Sequence, residues 1–145
     1  MLKKIGIGVV ILLVTIQFIP VELNESDEVT ENDFMAVEKP PLEIQNLLQT
    51  SCYDCHSNNT EYPWFDKIAP VNFWVNDHIQ EGKSELNFSE WGTYTEKRKL
   101  HKLKEILEEI DEEKMPLESY VWMHGETKVS AEEYASLEQW ISSRK

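Results

Sequence analysis

Both cysteines of the 145-residue chain fall in one run, Ser51-Cys52-Tyr53-Asp54-Cys55-His56. Cys-x-x-Cys-His is the spacing that attaches a c-type haem. The two thiols add to the two vinyl groups on one edge of a porphyrin and form thioethers. The following histidine, His56, then falls under the iron and offers an imidazole nitrogen as its proximal ligand. Other chemistries of a Cys-x-x-Cys pair lack their partners here. A thiol–disulfide redox pair is expected in a βαβ setting, and no strand pattern precedes Cys52. A zinc site needs a second ligand pair at short spacing, whereas His78, His101 and His124 are scattered. A disulfide across two residues closes a tiny loop and stabilises little. The expected cofactor is therefore one covalently attached haem c.

The opposite face of the iron decides what such a protein does. Met115 is the first candidate for distal ligand. It stands in Glu112-Glu113-Lys114-Met115-Pro116, a Met-Pro in a loop about sixty residues beyond the attachment motif. That is the familiar placement in small c-type cytochromes. His78 is the alternative, because it shares a helical face with Val71, Trp74 and Val75. Met123 is a weaker alternative. His124, next to Gly125, reads as part of a turn, and His101 as a solvated residue beside Lys97 and Lys104.

The elements that position these groups read as helices and loops, an all-α class. An apolar run from Ile5 to Val21 follows Lys3-Lys4 and holds no charge. With no small-residue cleavage site in Phe18-Ile19-Pro20-Val21-Glu22, residues 1–22 are expected to be an uncleaved signal-anchor. The two lysines stay inside and send the remainder across the membrane. Residues 23–39 are polar and acidic and read as a linker. Residues 40–145 read as the folded domain, with four or five short helices. One starts after Pro41 and leads into Cys52. A second carries Val71 to His78 and ends at Gly82. A third covers residues 95–110, with Leu100, Leu103, Ile106, Leu107 and Ile110 at helical spacing. A fourth opens at Ser130, with Glu133 three residues on as in a capping box. Its stripe is Tyr134, Leu137 and Ile141, with Trp140 beside it. Tyr53, Tyr62, Trp64, Phe65, Phe73 and Trp74 are candidates to wall a haem edge, and Trp91 to donate to a propionate.

Charge bounds the partners. Beyond residue 22 the chain holds 12 basic and 26 acidic residues, a net of −14. Such a body repels nucleic acid and anionic lipid and suits a basic partner.

The spaced motifs resemble a known family. Cys52-Tyr53-Asp54-Cys55-His56-Ser57, Tyr62-Pro63-Trp64-Phe65, Ile68-Ala69-Pro70-Val71, His78-Ile79 with Gly82, and Leu86 to Trp91 carry the resemblance. Met115-Pro116 followed by Tyr120, and Ser130 to Trp140, complete it. Together, over roughly residues 40–140, they are similar to the haem-binding domain of exported bacterial proteins. One departure is His124-Gly125, where His-Pro is expected. The resemblance implies a small cytochrome c-like domain around one haem, with an N-terminal apolar segment. The expected function is single-haem electron transfer with His56/Met115 ligation. The expected place is the cytoplasmic membrane of a bacterium, with the domain on the periplasmic side and a basic redox protein as partner. A haem-based sensor or small-ligand binder, with an open or displaceable sixth site, is the alternative. A peroxidase usually needs a distal Arg or His, and the only arginines, Arg98 and Arg144, sit in no motif; no enzymatic activity is expected.

Overall fold

The computed structural model describes residues 1–26 and 28–144. Eight α-helices form among them: α1 (Leu2–Ile16), α2 (Phe34–Glu38), α3 (Leu42–Ser51), α4 (Tyr53–His56), α5 (Val71–Glu85), α6 (Glu96–Asp111), α7 (Glu118–Met123) and α8 (Ala131–Ser142). Two 3-10 turns, Trp64–Lys67 and Phe88–Thr93, add to them. No strand occurs among the described residues; one isolated antiparallel bridge joins Glu25 and Asn59. The all-α expectation holds, but with more and shorter helices than the four or five read from periodicity. The extra ones, α2, α4 and α7, have four to six residues, too few turns to display a helical period.

Local chemistry explains the long elements. The Thr95 side chain accepts from the Arg98 amide and starts α6. Ser130 and Glu133 form the expected capping box at α8. Helix α6 ends where Glu113 takes a left-handed conformation, φ 55°, a usual way to terminate a helix. On α6 Leu103 is buried, but Leu100 is exposed. Helix α5 runs through Gly82 to Glu85, so Gly82 does not end it. The glycine serves a close approach described below.

The core lies where α3, α6 and α8 meet the 88–93 turn. Ile44, Leu47, Leu48, Phe88, Trp91, Leu103 and Leu137 are buried there. Phe34 joins them at 0% exposure. Its ring meets Trp91 edge-on at 4.9 Å and Phe88 at 5.2 Å. This corrects the linker assignment for residues 23–39, since the segment is an integral part of the domain. Asn24 is buried and donates to the Ser57 carbonyl at 2.8 Å. The Asp33 carboxylate caps α2 and accepts from the Tyr53 hydroxyl at 3.1 Å. The Gly92 amide donates to Asn32 at 2.7 Å. Composition hid this because a few anchors, Asn24, Asp33 and Phe34, do the packing inside an otherwise polar stretch. Glu38 pairs with Arg144 and accepts from the Trp91 indole at 2.7 Å. That bond commits Trp91 to the core and takes its indole away from the propionate role.

The N-terminal helix is also shorter than expected. Helix α1 stops at Ile16, and no helix among the described residues is long and apolar enough to cross a membrane. The Gln17 amide ends it by donating both to Leu13 of the last turn and to Ala69 of the domain. Pro20 then blocks any continuation.

Phe34→Ala is expected to destabilise the protein by about 3–5 kcal/mol, as for other buried aromatics. Denaturant unfolding checks this; a change near zero would mean that the segment is a linker after all.

Candidate functional site

Helix α4 holds the attachment motif as a single turn directly after α3. The Cys52 amide closes α3 by donating to Leu48, and the His56 amide donates back to Cys52. The turn is fixed from three sides. Helix α5 packs on it most extensively, at Gly82: a Cβ built there would lie 2.8 Å from the Cys55 carbonyl oxygen. Tyr53 stacks flat on Phe88, with centroids 4.9 Å apart. The Tyr120 hydroxyl of α7 donates to the Asp54 carboxylate at 2.7 Å.

The His56 ring is oriented by the main chain at the end of α5. Its Nδ1 lies 3.0 Å from the Leu86 carbonyl oxygen. A carbonyl only accepts, so Nδ1 carries a proton, and in the neutral ring Nε2 keeps its lone pair. Ligating histidines commonly use this second bond to fix tautomer and direction. Burial holds the imidazole below its usual pKa, opposed by the Leu86 bond. Burial thus favours the neutral ring, which is the form that binds a metal.

Next to this ring lies a cleft of about 290 Å³. Phe88, Ile106, Ile110, Pro116 and Val129 line it, with Cys52, His56 and Met115. Met115 reaches it through the end of α6. The Lys114 and Met115 amides both donate to the Glu109 carbonyl, at 2.9 and 3.0 Å. These bonds fold the chain back over the last turn of the helix. The Tyr120–Asp54 bond secures the other end of the loop. Carboxylates of Glu85, Glu105 and Glu109 stand on the lining with one cation, Lys102. Lys102 is 2.6 Å from Glu105 and holds that carboxyl below its usual pKa.

His78 is placed elsewhere. It lines a separate cavity of about 40 Å³ with Cys55, Asp66, Tyr120, Met123 and His124. Its Nδ1 bonds the carbonyl of Trp74 on its own helix. The structure thus brings Met115, and neither His78 nor Met123, into the cleft of His56. His124 ends α7, stacks on Tyr120 and bonds its carbonyl. His101 is exposed and pairs with Glu105. Of the aromatic residues, Trp64 is 76% exposed and walls nothing.

The thiols lack the signature of a redox pair. Burial, with the adjacent Cys55 thiol, pushes Cys52 up to about 12. Burial, then Asp54 and Asp66, pushes Cys55 up to about 11. Reactive dithiols shift the other way. Among the described residues no group of three or more His, Cys, Asp or Glu is placed to hold a metal ion. An apolar cleft, a neutral histidine with a fixed tautomer and a thiol on the same wall fit a haem in their donor chemistry.

These features define a helical domain of the haem-binding class. The chain matches the haem-binding domain family over residues 11–143 and belongs to that family. No curated protein and no solved structure matches it.

Sequence reasoning missed the Leu86 carbonyl, which is main chain and leaves no side-chain signal. It also missed the roles of Gly82 and Tyr120, whose contacts lie across the fold from their own sequence neighbours. Gly82→Ala tests the close approach. An exposed helical Gly→Ala change gains up to about 1 kcal/mol, whereas a Cβ pressed on the Cys55 backbone is expected to cost roughly 1–3 kcal/mol. Denaturant midpoints measure the sign, and a stabilised variant would contradict the packing.

Proposed function

We propose that this protein is a single-haem electron carrier held at the outer face of a bacterial cytoplasmic membrane. Cys52 and Cys55 form the thioethers, His56 is the proximal ligand and Met115 the distal one. The observation that carries the reading is the shared cleft: His56, with Nε2 left free by the Leu86 bond, and Met115 line the same apolar space. Each thiol would add its S–H across one vinyl double bond, an addition that needs no oxidant. The two thiols border different cavities, so joining both to one ring requires the Cys55 side chain to turn toward the cleft.

Haem bound there supplies one-electron iron chemistry. The chain's own residues set its conditions. The Leu86 carbonyl keeps the His56 proton on Nδ1. Phe88, Ile106, Ile110 and Val129 give the cleft an apolar wall. A thioether ligand in place of a second imidazole raises the reduction potential. His56 and Met115 together would leave no open iron position for a substrate, which suits electron transfer rather than catalysis. Glu85, Glu105 and Glu109 give the cleft an acidic rim, which fits a partner with a basic docking surface. The apolar N-terminal segment behind Lys3-Lys4 supports export and attachment to the membrane.

Met115→Ala is expected to abolish the near-infrared sulfur-to-iron charge-transfer band of the oxidised protein and to lower the potential. A band that persists in this variant would show that another residue holds the sixth position. In the unsubstituted, reduced protein, carbon monoxide is expected to bind slowly and weakly. Rapid, tight binding would instead favour the sensor or small-ligand reading.

A further inference from the structure

Helix α1 presents a physical problem that the haem site does not solve. Every residue from 2 to 15 is exposed, and the helix buries nothing against the domain. Ile5, Ile7, Val9, Val10, Ile11, Leu12, Leu13 and Val14 surround it with apolar surface. Helices apolar all round are covered in their working state. A second copy of the chain covers one stripe and leaves the rest of the circumference in water. A bilayer covers all of it. The charge pattern agrees, with Lys3 and Lys4 at one end and no charged residue from Ile5 to Val21.

The length does not agree with a simple span. Fifteen residues rise roughly 22 Å, against about 30 Å of hydrocarbon. A short apolar segment is accommodated by bringing its flanks into the interface. Here the flank is not free chain. The Gln17 side chain holds Ala69 in both directions: its Nε2 donates to the Ala69 carbonyl at 3.0 Å, and the Ala69 amide donates to its Oε1 at 3.1 Å. Whatever depth α1 reaches, the 64–69 turn follows. That turn exposes Trp64 at 76% and Ile68 at 42%, and Phe18 beside the clamp is 82% exposed. Tryptophan is the residue most suited to the headgroup layer, with an apolar body and one hydrogen-bond donor.

We propose that the 64–69 turn, with Phe18 and Ile19, is a membrane-contact surface that the Gln17–Ala69 clamp seats in the headgroup layer of a phospholipid bilayer. The inference rests on the membrane attachment proposed above and adds the face by which the domain sits. The fitting surface is zwitterionic. Lys67, the only cation of the turn, is already paired with Glu25 at 3.2 Å, and the chain as a whole carries −13. No residue of the 64–69 turn except Asp66 lines either cavity, and none lines the cleft of His56. The acidic rim therefore stays open to a soluble partner while the domain rests on lipid.

Photocrosslinking the full chain tests this without using its cysteines. p-Benzoylphenylalanine is placed singly at Ile11, Trp64 and Leu100, the protein is bound to phosphatidylcholine vesicles, and lipid adducts are read by mass after irradiation. Adducts are expected at positions 11 and 64 and absent at 100, on α6. Gln17→Ala is expected to keep the adduct at 11 and lose that at 64. Adducts at 11 without any at 64 in the otherwise unaltered chain would overturn the seating face and leave the membrane attachment standing. Absence at both positions would overturn the two together, as would protein–protein adducts at 11 in place of lipid. An adduct at 64 that survives Gln17→Ala would overturn the role of the clamp.

Discussion

The bond from His56 Nδ1 to the Leu86 carbonyl joins the attachment turn to the segment that follows α5. Through it, a main-chain atom 30 residues away decides which ring nitrogen can reach a metal. Its geometry needs α5 to lie close on α4, and that approach is possible only because residue 82 has no side chain to meet the Cys55 carbonyl. It also needs Leu86 to be held. The Leu86 amide donates to Gly82, and the next residue, Asn87, is fixed by a bond from its amide to the Tyr94 hydroxyl at 3.0 Å. Each step is a local constraint, and together they aim one imidazole.

The same construction links the cleft to the core. Phe88 faces both: it lines the cleft and packs against Phe34, Tyr53 and Trp91. Tyr53, inside the attachment motif, is tied by its hydroxyl to Asp33. The acidic segment before α3 thus buttresses the wall behind the motif. A chain of this size has a limited core, and the apolar cleft is the part of its interior that a large flat cofactor can fill. On the other side, the αL turn at Glu113 and the Tyr120–Asp54 bond bracket Met115. The two candidate ligands therefore come from segments pinned to the same short helix.

Much of this was legible in the sequence where a pattern repeats or a spacing is chemical. Helix α6 and the Ser130 capping box read directly, although Leu100 of the α6 stripe is exposed. Met115-Pro116 reads as a loop pair, and both residues follow α6 and line the cleft of His56. The misreadings share a cause. Residues 23–39 looked like a linker because composition averages over a segment, while packing depends on single side chains such as Phe34. Gly82 looked like a stop because a glycine signals either an end or a close approach, and only the neighbouring backbone tells which. His78 stood as the alternative to Met115 because helical position does not reveal which cavity a residue borders; it borders a different one. The apolar run to Val21 looked like one element, whereas Gln17 spends its amide ending α1 and binding Ala69.

We propose that Cys52, Cys55 and His56 attach one haem covalently in the cleft that Met115 borders. The most direct measurement is a pyridine haemochrome spectrum, with intact mass, on protein exported by a host competent in cytochrome c maturation, after acid-acetone extraction. One haem per chain retained through extraction, with the spectrum of two thioether bonds, is the predicted result. Haem that extracts completely, or a chain that gains no mass, would contradict it.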